Sequence, residues 1–384
     1  MRIGIEAQRL FRPHKHGMDR VALELIKNLQ KLDTLNEYFI FVKPDQDNQI
    51  IKETSNFKIV EIPGGSYPIW EQFKLPRVAQ KYKCDILHCT SNTAPMYQSI
   101  PLVTTLHDVI FSETSMIKQI LSSASWYQKL GNIYRRLIVN RVIKRSAQLI
   151  TVSNFEKQNI KDRYRISTDK IETVYNGVNS DFSAKIDSIK QERVVKKYKL
   201  PELFLLHIGN TDPRKNTSRV LEAFNEFIDC SSESYKLVLV GLNEDKLDAL
   251  LNDLGLTKLK QHIVLTGYVS DEDLPVIFSM AKVFLFPSLR EGFGIPIIEA
   301  MASGIPVITS NTSSMPEVAG EAACIVDPYC KDDILLGITN ILTNDQLRLE
   351  LVKKGLTRSN AFSWMNSATS VLELYQQLYE VKNK

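Results

Sequence analysis

Short apolar runs recur along the first part of the chain as RIGIEA, YFIFV, FKIVEI, CDILHC, PLVTTLHD and QLITVS, with longer mixed stretches between them. Parallel strands cannot be joined by a tight turn, so runs of strand length separated by helix-length segments predict crossover units and a parallel sheet. The rhythm pauses at IETVYNGVNSDF and the charged stretch KIDSIKQERVVKKYKLP. It then restarts with LFLLHIGN, YKLVLVG, HIVLTGYV, VFLFPS, PVITS and ACIVD. The expected fold is α/β: two Rossmann-like, doubly wound parallel-sheet domains joined near residues 180–198, where the polar joint is the place for a hinge. Ligands of open parallel sheets sit outside the carboxyl ends of the strands, so two such sheets facing one another present two binding rims across a cleft.

At 384 residues the chain is long enough for two domains, and its 43% apolar and 24% charged content is that of a globular enzyme. The five cysteines are odd in number and none lies in a C-x-x-C pair, which argues against a disulfide framework or a zinc knuckle and for a reducing compartment. The opening MRIGIEAQRLF lacks the apolar core of a signal peptide, and no run approaches the roughly 18 apolar residues of a spanning helix. A cytoplasmic location is expected. A net charge of +4 is too small to imply nucleic acid.

The stretch EGFGIPIIE at 291–299 sets two acids eight positions apart around two glycines and a proline. VFLFPS reads as a buried strand ended by Pro287, and LREGFG as the strand-to-helix turn on the carboxyl edge. Pro296 suits the first position of a helix that Gly304 and Pro306 stop. Gly292 and Gly294 permit φ > 0 and close approach to a ligand, and unpaired N–H groups at a helix start attract anions. On this reading Glu299 lies in the first turn, within reach of a diol beside a phosphate, and Glu291 approaches the other end of the ligand. A sugar nucleotide has that layout. The plain structural alternative makes Glu299 a dipole-stabilising acid and Glu291 a solvated loop residue.

HIGNTDPRKN places Asn210, Arg214 and Lys215 at the carboxyl end of a neighbouring strand, where a planar fork and a compact point charge suit a diphosphate. GYVSDEDLP adds a third rim loop: Gly267 and Tyr268 for a base, with Ser270 and Asp273 as a capping box.

The segment from GYVSDEDLP through EGFGIPIIE to CIVDP resembles the donor-binding half of the retaining glycosyltransferases of family 4, whose two-Rossmann architecture is called GT-B. Their E-x7-E signature is matched by Glu291 and Glu299. The resemblance continues, more loosely, through TLHDVIF, ITVSNFEKQNI, VYNGVN and GNTDPRKN. It implies transfer of a hexose from a nucleotide-diphosphate sugar with retention and without a metal or other cofactor. By match, Glu299 would hold the ribose hydroxyls and Glu291 a sugar hydroxyl. N–H groups around Gly292, Phe293, Gly294 and Ile295 would meet sugar and phosphate, and Arg214 and Lys215 would neutralise the departing diphosphate. It also implies an acceptor-binding domain at 1–185, a donor-binding domain at 186–362, and a last helix, 363–384, crossing back onto the first.

In FRPHKHGMDRVALEL, Gly17 and Arg20 match the family's glycine-rich loop, while the usual neighbouring glycine is absent. His107 in TLHDVIF matches the histidine that contacts the donor sugar; a buried, satisfied histidine is the alternative. His14 and His16 read as exposed loop residues and His88 as packing. The acid triplets DQD at 45–47 and DED at 271–273 imitate a metal motif, but neither adjoins a diphosphate-binding strand end, so no metal site is expected.

The window 118–165 is basic. Within it Arg135, Arg136, Arg141, Lys144 and Arg145 interleave with apolar residues at helical spacing, which suits a helix over 133–145 lying on an anionic membrane surface, or a surface helix with its apolar face in the core. The leading expectation is transfer of a sugar, GDP-mannose being the first choice of donor and a UDP-hexose the second, to a glycan or lipid-linked acceptor. A sugar-nucleotide epimerase or hydrolase of the same architecture and a non-catalytic sugar-binding protein are the alternatives. A dinucleotide oxidoreductase lacks its G-x-G-x-x-G here.

Overall fold

Side-chain alternation along the first strands sends neighbours to opposite faces, and both faces are buried. Tyr38, Ile40 and Val42 pack on one side while Phe39 and Phe41 pack on the other. That is the pattern of a parallel sheet covered on both sides. The computed structural model describes residues 1–113 and 126–383. Its contacts divide the chain into one unit of residues 1–177 with 363–384 and a second of 178–362.

In the first unit, β1 (Arg2–Glu6), β2 (Glu37–Val42), β3 (Phe57–Glu61), β4 (Ile86–Cys89), β5 (Leu102–Leu106), β6 (Gln148–Thr151) and β7 (Ile171–Thr173) form a seven-stranded sheet of order β3-β2-β1-β4-β5-β6-β7. In the second, β8 (Phe204–Ile208), β9 (Lys236–Val240), β10 (Ile263–Gly267), β11 (Val283–Phe286), β12 (Val307–Ser310) and β13 (Cys324–Val326) form a six-stranded sheet of order β10-β9-β8-β11-β12-β13. Every recorded strand pair is parallel. The chain direction across each sheet reverses once, between β1 and β4 and between β8 and β11, and a parallel sheet opens for ligands at the carboxyl ends on either side of that switch.

Four features differ from the sequence reading. A seventh strand, β7, occupies the start of the expected pause; its three residues carry one buried side chain, Ile171, and so leave no apolar run to notice. Residues 178–185 pack with the second unit, where Phe182 meets the Phe278 ring edge-on and Ala184 lies against Gly304, so the division falls before 185. Ser270 and Asp273 do not form a capping box. The helix there runs Leu274–Met280, and the buried Asp273 carboxylate is taken by Arg193 and Lys197, each at 2.7 Å, and by the Tyr198 hydroxyl. The basic stretch belongs to helix Trp126–Arg145, whose Ile138, Val139, Val142 and Ile143 are core residues of the first unit and so are not available to a membrane, while Leu137 is exposed. Residues 118–125 of that window lie outside the described part.

The C-terminal helix Trp364–Asn383 lays Ala368, Val371, Leu374 and Tyr375 into the core beside helix Gly17–Leu32. Gly177 marks its entry: a Cβ there would stand 2.2 Å from the Trp364 amide nitrogen, so no larger residue fits.

Candidate functional site

The loops after β8 and β11 flank the switch point of the second sheet. The β11 strand ends at Phe286, the chain turns through Pro287–Gly294, and helix Ile295–Ala302 begins. Gly294 has φ +99°, a left-handed conformation that favours glycine, and a Cβ there would stand 3.1 Å from the tip of the Ile297 side chain. Ile295, not Pro296, is the first helical residue. Glu299 therefore falls in the second turn rather than the first, with its side chain nearly buried. Phe293 is buried, its ring edge-on to Phe362.

The turn is held by a set of hydroxyls that the sequence reading overlooked. In the run TSNTSS at 309–314, Thr309 donates to the Phe286 carbonyl at 3.0 Å and Ser310 to that of Ser288. Thr312 donates to Leu289 at 3.1 Å, Ser313 to Glu291 at 2.6 Å and Ser314 to Phe293 at 3.0 Å. Nearly every other carbonyl of the turn is thus satisfied from one side. A polar run directly after an apolar strand is the signal that could have found it.

The β8 loop is fastened to the same turn. Asn216, held at φ +60°, donates to the Pro287 and Pro328 carbonyls at 2.9 and 2.7 Å, and the Leu289 N–H donates to the Arg214 carbonyl at 2.7 Å. Lys215 and Glu291 are thereby brought together, with Nζ 2.6 Å from Oε1, and the same Nζ lies 5.3 Å from the centre of the Phe286 ring. Arg214 forks onto Asp212 at 2.5–3.1 Å. Burial alone would raise the Asp212 carboxyl, but that guanidinium outweighs it and holds the group below the usual carboxylate range. Below the loop His207 bonds the Leu285 carbonyl and Thr217 and is pushed down to about 4 by burial, so it stays neutral beside Lys215. Asn210 is exposed on the loop, its Oδ1 accepting from the Asp212 N–H. Gly267, at φ +65°, and the exposed Tyr268 close the edge strand β10, two strands from β8.

His107, Gly17 and Arg20 belong to the first unit. His107 directly follows β5. Its Nε2–H donates to the Thr90 carbonyl at 2.8 Å and its backbone N–H to Asn92 Oδ1 at 2.7 Å, and burial keeps the ring neutral. Gly17 opens helix Gly17–Leu32 one residue after His16, whose backbone N–H bonds Asp19; Arg20 is half-buried in the first turn. His88 is packed between Tyr375 and Thr105.

Around these residues the first unit buries acids that the sequence reading did not single out. Glu6, at the end of β1, accepts from the Gln8 N–H at 2.9 Å, and burial pushes its carboxyl up to about 7. Glu71 is fully buried and accepts from the hydroxyls of Tyr67, Thr93 and Tyr134 and from the Gln72 amide; burial still holds its carboxyl above the usual range. Arg9 meets Asp19 through Nε at 3.0 Å, while its Nη2 is buried with no hydrogen-bond partner. Of the two acid triplets, Asp47 pairs with Lys15 and Asp273 with Arg193 and Lys197. Among the described residues no three His, Cys, Asp or Glu side chains cluster as a metal site would require.

Comparison with known proteins gives two family matches. Residues 188–358 fit the family described as glycosyl transferases group 1, and residues 16–182 that described as glycosyltransferase family 4. O-antigen chain mannosyltransferase B of Escherichia coli is 29% identical over 94% of this chain and 96% of its own. O-antigen chain mannosyltransferase RfbU of Salmonella typhimurium is 31% identical over 69% of this chain and 67% of its own. Among solved structures, sucrose-phosphate synthase from Thermosynechococcus elongatus shares the fold, with a TM-score of 0.74 over 99% of both chains at 18% identity.

Proposed function

The chain belongs to the family 4 glycosyltransferases of GT-B fold, and from that premise we propose that it transfers mannose from GDP-mannose, with retention, to a glycan or lipid-linked acceptor in bacterial surface-polysaccharide synthesis. The observation that carries this reading is the Lys215–Glu291 pair at the β8/β11 switch point, taken with the 29% identity to an O-antigen mannosyltransferase along nearly the whole chain.

The donor diphosphate lies against Lys215, Arg214 and the N–H groups that start helix Ile295–Ala302. As the bond to the sugar breaks, negative charge grows on that diphosphate, and cations already fixed in place stabilise it without further reorganisation. Lys215 then exchanges Glu291 for phosphate, freeing the Glu291 carboxylate for a hydroxyl of the sugar. Glu299 accepts from the ribose hydroxyls from its second-turn position. No divalent cation is required, so turnover persists in excess chelator. The reaction takes place in the cytoplasm, and exposed Arg141, Lys144 and Arg145 draw the protein weakly to anionic membrane surfaces.

A panel of nucleotide diphosphates and their sugars tests the donor. GDP and GDP-mannose should raise the melting temperature more than UDP and UDP-hexoses, and labelled mannose should appear in product only when acceptor is present. Preferential stabilisation by UDP-sugars would transfer the reading to a UDP-hexose donor, and complete turnover of donor alone would point to a hydrolase or epimerase.

A further inference from the structure

Away from the donor loop, the first unit carries a cavity of about 430 Å³ into which four cationic side chains converge: Arg136, Lys144, Arg163 and Arg165. None of its described lining residues is a carboxylate. Among the described residues Lys144, Arg163 and Arg165 form no ion pair. Two of the cations are oriented by carbonyls of one short helix, Ile110–Glu113: Arg136 Nε donates to Phe111 O at 2.9 Å, and Arg163 Nη2 donates to Ser112 O. Lys170 Nζ bonds the Lys144 carbonyl at 2.7 Å and adds a fifth positive charge at the margin. Asn140 and Tyr164 complete the lining.

Cations at helix C-termini are ordinarily placed there by the helix dipole, and Arg163–Arg165 and Lys144 do end helices Asn154–Tyr164 and Trp126–Arg145. The dipole accounts for a cation on each helix end. It does not account for cations from both helices facing one cavity with no acid among its described lining residues, an arrangement whose self-repulsion a bound anion would relieve. The volume lies in the range of small-molecule sites and exceeds what a single carboxylate fills. Three guanidinium forks favour an oxyanion with several equivalent oxygens.

We propose that this cavity on the first unit binds a phosphate-bearing group of diphosphate size, either free in solution or in the head group of an anionic lipid, at a site separate from the one that holds the donor.

Inorganic pyrophosphate titrated calorimetrically into the full-length protein and into a Lys144→Gln, Arg165→Gly double variant tests this. Arg165 sits at φ +51°, where glycine is the favoured residue, so the double variant should fold and melt with the wild type. Neither residue belongs to the donor loops, so donor turnover should be unchanged. The variant should lose a binding component seen in the wild type, with affinity at least tenfold weaker. Co-sedimentation with phosphatidylglycerol vesicles assigns the source. Loss of vesicle binding in the variant, with pyrophosphate competing in the wild type, identifies a lipid head group, whereas unchanged vesicle binding beside weakened pyrophosphate binding identifies a soluble phosphate. Titrations that coincide in the two proteins would overturn the proposal.

Discussion

The two units share a sheet architecture and a switch point, yet their carboxyl edges are built from opposite materials. At the β8/β11 edge, serine and threonine hydroxyls donate to the carbonyls of a glycine turn that carries a partly exposed Lys215–Glu291 pair. Beside the β1/β4 edge, Glu6, Glu71, His88 and His107 are buried, and burial raises the two carboxyls and lowers the two imidazoles from their ordinary values. One edge carries an ion pair, the other buried acids and histidines. The same architecture therefore carries different chemistry through what is placed after its strands.

The contrast breaks most readily at Lys215. Lys215→Ala should lower turnover by roughly 10²–10³, about 3–4 kcal/mol of barrier, as expected for removing a fixed charge from a developing anion. Steady-state kinetics with folding checked by circular dichroism tests this, and a loss confined to KM would assign Lys215 to ground-state binding only.

Next comes the acid edge. Burial raises the Glu6 carboxyl from 4.5 to about 7, so the folded state holds this proton more tightly than the unfolded one. The stabilisation is fully present below pH 4.5 and is lost as pH rises through 7. Relative to Glu6→Gln, the wild type should therefore lose up to ~3 kcal/mol of stability across that window. His88 and His107 have the opposite slope, but they are present in both proteins and cancel in the difference. Urea unfolding at pH 5 and pH 7.5 measures it; a difference that does not change with pH would remove Glu6 from this account.

The two glutamates of the second unit sharpen the comparison further. Glu299→Ala should weaken nucleotide diphosphate binding by roughly 1.5–3 kcal/mol, the range for a lost charged hydrogen-bond acceptor. Glu291→Ala should leave that affinity equal or tighter, because Lys215 no longer has to leave a carboxylate, while turnover falls. Equal loss of nucleotide affinity in both variants would end this division of roles.

The smallest effect concerns the surface of helix Trp126–Arg145. With Ile138, Val139, Val142 and Ile143 in the core, its cations, at about 1 kcal/mol each near an anionic surface, outweigh the exposed Leu137 in what it offers a membrane. Sedimentation with anionic vesicles should be weak and vanish as salt screens it, and equal binding to neutral vesicles would show that apolar insertion does occur.

Strand positions were legible because burial on both faces forces continuous apolar runs such as VFLFPS and YFIFV, and β7 escaped because IET has only one side chain to bury. EGFGIPIIE could be read as a turn and helix start because glycine and proline act through their own backbone, without help from distant residues. Even there the register slipped by one residue, since sequence does not say whether Ile295 or Pro296 first takes helical angles.

What the chain alone determined was therefore periodicity and backbone permission: two parallel sheets, a polar joint, and a glycine turn after the fourth strand of the second. Only the tertiary structure decided which charges meet. Lys215 and Glu291 are 76 positions apart, and Glu71 collects its hydroxyls from Tyr67, Thr93 and Tyr134. Lys144 and Arg165 come to one cavity from two different helices. Electrostatic partnership and burial depend on distances through space, and those distances exist only after strand order has been chosen.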